Sequence, residues 1–211
     1  MKEKPSNLNN VICIFAVIAI IISIANVSMS LYKFSEYKKS ITGNTLGSGY
    51  VNVTVSTQLA VNFSRDTLNW GPGIVSAGET NATLSTSQEA ATASRGNWST
   101  TNAKGLILAN IGNLNASIVL AGTKTGTTFF GGSTPEYKWN ITAKDTNPCI
   151  STSFTLGQWY AVNTTAKICS HLGYLAAANE IYIDILLTVP YDATITGIQS
   201  DTITATASTA G

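Results

Sequence analysis

The chain has 211 residues, of which only 11% are charged, and its formal net charge is +1 at pH 7. Ser and Thr together supply 50 residues and Asn another 18, so hydroxyls and amides rather than charges solvate the surface, as is typical of exported β proteins. After residue 40, seven basic and nine acidic residues leave a net charge of −2. Because this balance offers no basic patch for phosphates, we predict no nucleic-acid partner.

An uncharged N-terminal stretch predicts a membrane-spanning helix. Residues 11–25 are almost wholly apolar, and residues 11–32 would form a helix about 33 Å long, enough to cross a bilayer core. A cleaved signal peptide is the alternative, since Ser23 and Ala25 fit the small-x-small cleavage pattern. Apolar residues continue through Leu31 and Phe34, which favours a retained anchor. Lysines flank both ends, so the positive-inside rule does not decide the orientation.

The composition then divides the chain into three parts. Residues 1–40 are predicted to hold a short cytoplasmic tail, the transmembrane helix and its extension towards the headgroups. Residues 41–49 are rich in glycine and are predicted to be a flexible linker. Residues 50–211 are predicted to form an extracellular β-sandwich. The predicted contact with the membrane is therefore made by the N-terminal helix.

A long alternating stretch begins that domain. From Tyr50 to Ser64, apolar side chains occupy nearly every second position, so one face of an extended chain is dry and the other is wet. Strands commonly run about 5–6 residues. We therefore predict a long strand that bends across two sheets or extends beyond its own domain.

Further alternation predicts an all-β fold: a two-sheet sandwich or jelly roll of about eight strands. The other predicted strands are residues 79–85, 105–110, 114–120, 137–142, 159–162, 181–189 and 202–207. The strands at 105–110 and 114–120 are predicted to form a hairpin. Residues 87–97 are predicted to be a loop, and the aromatic pair Phe129 and Phe130 is predicted to be followed by a flexible corner at Gly131 and Gly132.

Glycosylation is the strongest chemical signal in this sequence. Asn-x-Ser/Thr sequons predict glycans on Asn52, Asn62, Asn81, Asn97, Asn115, Asn140 and Asn163. Four of them, Asn52, Asn62, Asn115 and Asn140, fall on the predicted wet side of strands, where a glycan stays out of the core. The alternative is that Asn, Ser and Thr are simply common on wet faces. An eighth sequon, at Asn26, lies inside the apolar span and is expected to stay unmodified.

Two cysteines, Cys149 and Cys169, lie in the β domain, and export predicts that they form a disulfide. Such a bond would close a loop of about 20 residues and stabilise the fold by about 3 kcal/mol. The alternative is two free buried thiols. With His171, the only histidine, they supply three of the four ligands that a structural zinc site needs, so no metal site is predicted.

No catalytic residue and no cofactor are predicted, because the sequence lacks HExxH, GxSxG and phosphate-loop motifs and no third group orients a Cys169–His171 pair. We therefore predict that the protein is not an enzyme. The dispersed Asp145, Asp184, Asp192 and Asp201 are interpreted as solvated surface. The four tryptophans are interpreted as core or corner residues, with a sugar-binding platform as the alternative.

A resemblance adds to these expectations. Residues 106–120, LILANIGNLNASIVL, resemble a segment of secreted jelly-roll proteins of the camelysin and TasA type, which form extracellular biofilm fibres. Residues 43–211 also resemble anchored archaeal surface proteins with NWG, GN-x-N, FFGG…P-x-Y-x-WN and DI-x-L-x-VP segments; here these are residues 69–71, 112–115, 129–140 and 184–190. The metallopeptidase activity assigned to some camelysin relatives is not expected, because no zinc-binding motif is present.

The resemblance implies a structural role: a filament or cell-envelope subunit that assembles with copies of itself through the strand from Tyr50 to Ser64. An adhesin or carbohydrate-binding module is the alternative. A type IV pilin-like subunit is a weaker one, because the apolar helix lacks an early acidic residue and a prepilin-like cleavage site.

Overall fold

A computed structural model describes residues 7–41, 53–150, 154–162 and 165–211; within the N-terminal helix it describes the side chains of residues 12–31. The chain divides into two compact units, Met1–Thr54 and Val55–Gly211.

The first unit contains helix α1, Asn7–Ile41. Its segment Ile12–Leu31 has 20 residues, or about 30 Å of helix, and is long and apolar enough to cross a membrane. The hydroxyls of Ser23 and Ser28 donate to carbonyls one turn back, so neither leaves a polar group unsatisfied. The predicted helix is confirmed and continues to Ile41, whereas its crossing of a membrane stays a prediction. Length and composition fit a retained anchor and an export signal equally well.

The second unit is all-β, as predicted, with eleven strands among the described residues where the sequence predicts about eight. The strands are β1 Val61–Arg65, β2 Asn81–Ser87, β3 Ala90–Ser94, β4 Leu106–Asn110, β5 Ala116–Ala121, β6 Glu136–Ala143, β7 Cys149–Ile150, β8 Trp159–Ala161, β9 Ala166–Leu172, β10 Glu180–Pro190 and β11 Thr204–Thr209. A short helix, α2 Gly126–Phe130, precedes β6.

Strand β10 is the spine of the larger, seven-stranded sheet. One edge of β10 pairs with β6, which in turn pairs with β8. The other edge pairs with β4 along its first half and with β2 along its second half. Strand β1 continues the sheet beyond β4, and β3 continues it beyond β2. Because neighbours cover β10 on both sides, even its outward-facing Tyr182 and Asp184 are buried.

The smaller sheet has the order β11-β5-β9-β7, and all its pairs are antiparallel. Together with the larger sheet it encloses one hydrophobic core. The largest side chains that are almost fully buried include Trp139 and Ile141 from β6, Ile118 from β5, Ile168 from β9 and Ile183 from β10. The predicted two-sheet architecture is therefore confirmed.

The predicted hairpin of residues 105–110 and 114–120 is wrong, because β4 and β5 belong to different sheets. Buried Asn110 fixes the corner between them. Its Nδ2 donates to the carbonyls of Leu114 (2.8 Å) and Leu172 (3.1 Å), and its Oδ1 accepts from the N–H of Gly112 (3.0 Å). These bonds satisfy backbone groups that a hairpin ladder would otherwise pair, so the chain can cross to the other sheet.

Residues 87–97 contain strand β3, where the sequence predicts a loop. Its inward-facing residues are Ala91 and Ala93, whose small side chains give a weak alternation signal although both contact the core. Helix α2 covers the aromatic pair Phe129 and Phe130, for which the sequence predicts no element, and the predicted corner at Gly131 and Gly132 follows directly after it, where both glycines have positive φ. Thr125 begins that helix with a capping box, in which Thr125 and Thr128 each bind the other's backbone N–H through a side-chain oxygen.

Candidate functional site

The segment that leads into β1 departs most clearly from the sequence-based prediction. Only its end, Val61–Arg65, is a strand; residues 53–60 belong to no strand or helix, and residues 50–52 lie outside the described residues. Within residues 53–58 every side chain is exposed, including Val53 at 77% and Val55 at 79%. The prediction of one long strand is therefore wrong for residues 53–60, which we call the leading segment.

The ladder stops because the partner strand ends. Strand β1 pairs with β4 up to Val61 opposite Asn110, after which the partner turns away towards the other sheet. Two backbone bonds continue the pairing weakly: the N–H of Ile111 donates to the Ala60 carbonyl, and the N–H of Asn113 donates to the Gln58 carbonyl, each at 2.9 Å. The alternating apolar side chains of the leading segment thus continue past the end of the sheet, where no neighbouring strand covers them.

Asn113 holds the leading segment in place with its side chain. Its Oδ1 accepts from the N–H of Gln58 (2.6 Å), and its Nδ2 donates to the carbonyl of Ser56 (2.8 Å). A Cβ added to the neighbouring Gly112 would lie 2.3 Å from the Gln58 carbonyl oxygen, so the turn needs glycine at this point. We call these contacts the Asn113 clasp. The clasp fixes residues 56–60, whereas none of its contacts involves residues 53–55.

A free sheet edge lies along β11, which pairs only with β5 among the described strands. In the same register the N–H of Ala210 donates to the Asn115 carbonyl, so alternate residues of β11 direct their backbone groups towards β5. The intervening Ala205, Ala207 and Thr209 therefore direct their N–H and C=O groups outward. None of the described strands pairs with these outward groups, although β1 passes close to β11.

The sequence of β11 does not protect this edge. Natural edge strands are commonly blocked by lysine, proline, other charges or bulges. Strand β11 contains only Thr, Ala and Ser, and its register with β5 has no bulge. In contrast, the edge strand β1 has a register shift between Phe63 and Arg65, and β3 is flanked by Glu89 and Arg95.

The four aspartates interpreted as solvated surface all accept backbone hydrogen bonds. Asp192 is exposed, as interpreted, and Asp145 and Asp201 are half-buried. The interpretation is wrong for Asp184, which is buried. Asp145 accepts from the N–H groups of residues 179 and 180, Asp192 from that of residue 133, and Asp201 from those of residues 123 and 124. Asp184 accepts from residue 88. Each carboxylate therefore joins two segments that are distant in sequence.

Asp184 is the most buried of these acids and is only 2% exposed. It lies where the second edge of β10 passes from β4 to β2. Its Oδ1 accepts from the Gln88 N–H (2.6 Å) and from the Thr86 hydroxyl (3.0 Å). A Cβ on Gly105 would lie 2.5 Å from the same oxygen. Burial raises the pKa of Asp184 above its usual range, although these hydrogen bonds oppose the shift.

A salt-bridge network lies close to Asp184 on the outer face of the larger sheet. Arg65 donates to Glu89 (2.5 Å) and to the Gly105 carbonyl (2.8 Å), while Lys104 and the Tyr182 hydroxyl also reach Glu89. The bond from Arg65 is the main reason that the pKa of Glu89 falls to about 2. Because these groups satisfy one another, the network stabilises the sheet and leaves no charge directed at a ligand.

The sequons fall into three groups. Asn62, Asn97 and Asn115 are exposed, and the Oδ1 of Asn97 accepts from the N–H of residue 74. Asn81 and Asn140 are half-buried, and the Oδ1 atom of each is buried without a hydrogen-bond partner among the described residues. Asn140, predicted on a wet face, lies between Asp184 and Trp159 in the register of the sheet. The remaining sites, Asn52 and Asn163, lie outside the described residues.

Cys149 and Cys169 form a disulfide that joins β7 to β9, as predicted. Cys169 therefore has no free thiol to act with His171, whose Nε2 lies 3.0 Å from the Gly211 carbonyl oxygen. His171 also lines a small cavity of about 300 Å³ with loop residues. Across the described chain, no three His, Cys, Asp or Glu side chains converge on a point where a metal ion would bind.

The tryptophans do not form a sugar platform. Trp70 and Trp139 are buried, and Trp98 is half-buried against the core. Trp159 is 37% exposed and lies on β8, at an edge of the larger sheet. Aromatic residues for stacking on a sugar ring are thus not gathered on one surface.

These observations define the class of protein: a two-sheet β-sandwich with a disulfide, together with an apolar N-terminal helix long enough to cross a membrane. No family model, curated protein or solved structure matches this chain.

Proposed function

We propose that this chain is a membrane-anchored, glycosylated surface protein whose extracellular sandwich is a filament or cell-envelope subunit. Helix α1 supplies a span of bilayer length, and the disulfide favours an oxidising compartment outside the cytoplasm. Exposed sequons at Asn62, Asn97 and Asn115 offer positions where a glycan would not enter the core.

One observation supports assembly: the leading segment keeps the apolar alternation of a strand while lying outside the sheet. Val53 and Val55 are in the same phase as Val61 and Phe63, which are half-buried against the sandwich, yet both are more than three-quarters exposed. Isolated strands are stable only when another strand pairs with them and covers their apolar side chains. A second copy of the chain supplies both.

The acceptor in this proposal is the free edge of β11. The leading segment of one subunit pairs with β11 of the next through the outward backbone groups of Ala205, Ala207 and Thr209. Val55 then covers the half-buried Ala205 and Ala207, whose small side chains leave room above the core. Contact between unlike surfaces extends into an open array when successive rotations do not close into a ring, and this is the arrangement that we propose.

Cysteine cross-linking between two full-length variants in detergent tests this pairing. One protein carries Thr54→Cys and a mass tag, and the other carries a cysteine at Thr204, Thr206 or Ser208; both also carry Cys13→Ala. We expect a mixed disulfide for at least one β11 position. The matched control is Thr92→Cys, an exposed position of the same residue type on the edge strand β3. No cross-link along β11, or equal cross-linking to β3, would contradict the proposed pairing.

A further inference from the structure

Helix α1 carries one polar side chain that its own helix does not satisfy. Asn26 lies within the apolar span Ile12–Leu31, whose described side chains are all exposed. Ser23 and Ser28 donate to carbonyls one turn back in the helix. The Asn26 amide has two N–H donors and one carbonyl acceptor, and it has no hydrogen-bond partner among the described residues. If α1 spans a bilayer, this amide lies in hydrocarbon, where an unpaired polar group is costly.

Small and polar residues form a stripe along the helix that includes Asn26. Successive members are three or four residues apart, so they lie on one face of an α-helix. They are Ala16, Ala19, Ser23, Asn26 and Ser30, which we call the Asn26 stripe. At 3.6 residues per turn, these five positions lie within an arc of about 80°. From residue 16 to residue 30, every large apolar side chain lies outside that arc, so a second helix can approach closely along it.

The position of Asn26 in the span limits the ways in which its amide can find a partner. Five residues separate it from Leu31, which is about 7.5 Å along a helix, so the amide lies below the headgroups. A long lysine or arginine side chain reaches the interface from such a depth, whereas the short side chain of asparagine does not. The partner must therefore lie within the membrane, against the face that the Asn26 stripe forms.

A second copy of α1 fits this requirement. In a parallel pair both Asn26 amides lie at the same depth, so the Nδ2 of each can donate to the Oδ1 of the other. In an antiparallel pair the two amides are about 14 Å apart along the axis, because Asn26 is displaced from the centre of the span. The small side chains of Ala16, Ala19 and Ser23 let the two parallel backbones approach closely enough for this contact.

From these features we infer that α1 forms a parallel pair with α1 of a second copy along the Asn26 stripe, held by hydrogen bonds between the two Asn26 amides. This inference rests on the proposed anchoring. It adds a contact between subunits that involves neither the leading segment nor β11. Paired anchors also raise the local concentration of the sandwiches that the proposed assembly joins.

Cysteine scanning of the helix in the full-length protein tests this pairing. Single cysteines replace residues 14–24 one at a time in a Cys13→Ala background, and each variant is reconstituted in phosphatidylcholine liposomes and oxidised with copper phenanthroline. We expect the yield of disulfide-linked dimer to peak at the scanned positions of the Asn26 stripe, several-fold above Ile14 and Ile21 on the opposite face. Pairing of the sandwiches alone would bring helices together without this period of three to four residues.

Two leucine variants in the scanned background test the role of the amide. Asn26→Leu removes the amide, so we expect the peaks along the stripe to fall several-fold. Ser28→Leu is the matched control, because it also replaces a polar residue by leucine, but its hydroxyl is satisfied within the helix and it lies outside the stripe. This variant should keep the peaks. A scan without periodicity, peaks that persist in Asn26→Leu, or an equal loss in both variants would overturn the inference.

Liposome flotation separates this failure from that of the proposed function. If the protein floats with the vesicles but the scan lacks periodicity, only the helix pairing is wrong. If the protein does not float, the proposed anchoring is itself wrong. The cross-links between residue 54 and β11 report the pairing of the sandwiches and do not depend on Asn26.

Discussion

Asp184 allows a sharp test of what stabilises the sandwich. Its Oδ1 is the acceptor for two donors, the Gln88 N–H and the Thr86 hydroxyl, at the point where β4 gives way to β2 along β10. In Asp184→Ala both donors lose this acceptor in a buried site, which costs about 1–3 kcal/mol of the free energy of unfolding. Asp184→Asn keeps an oxygen acceptor and removes the charge, so we expect a clearly smaller loss at neutral pH.

The pKa of Asp184 also predicts the direction in which the free energy of unfolding changes with pH. Because burial raises the pKa of Asp184, its contribution to stability is fully present below its ordinary pKa and is lost as the pH rises through the folded-state value. Wild type should therefore gain stability relative to Asp184→Asn as the pH falls from about 7 towards about 4. Glu89, with its pKa lowered to about 2, loses its contribution on acidification in both proteins, so it cancels from the difference.

Urea unfolding of the full chain in detergent, followed by tryptophan fluorescence, measures these differences. All four tryptophans lie after residue 55, so the signal reports the sandwich and not the helix. Asp66→Asn, which removes an exposed carboxylate, is the matched control. If the Asp184→Ala and Asp184→Asn variants unfold at the same urea concentration, or if the difference between wild type and Asp184→Asn does not change with pH, our account of this acid is refuted.

Three further outcomes are expected. Gly96→Ala should lower the free energy of unfolding by about 1–3 kcal/mol in urea unfolding, because the added Cβ would lie 2.5 Å from the Trp98 ring. Gly211→Ala, where an added Cβ meets no neighbour, is the control, and equal unfolding midpoints for the two variants would contradict this reasoning. Asn113→Ala should speed hydrogen exchange in residues 56–60 without moving the unfolding midpoint by more than a small amount, and unchanged exchange would disprove the clasp. Replacing both disulfide cysteines by Ser should cost about 3 kcal/mol in the same unfolding assay, and an unaltered midpoint would show that the crosslink is dispensable.

The sequence identifies strands well where large apolar side chains alternate. Strand β10 is found because Ile181, Ile183 and Ile185 recur at period two, and Pro190 ends it as expected. Strand β3 is missed because its inward residues are alanines, which contribute little to such a pattern. Of the two parts of the candidate assembly surface, the sequence predicts one. The leading segment is recognised from its alternating valines, whereas the free edge of β11 is recognised only once the pairing of the strands is known.

By itself, the sequence determined the apolar helix, the all-β class and the disulfide, because each depends on local composition, on period-two alternation or on there being only two cysteines after the helix. Only the tertiary structure decided that β4 and β5 enter different sheets, since this depends on Asn110 satisfying carbonyls from two distant segments. It also decided that Asp184 is buried and that β1 is short. Both depend on where neighbouring strands end, which is a property of the assembled sheet and leaves no mark on the local pattern.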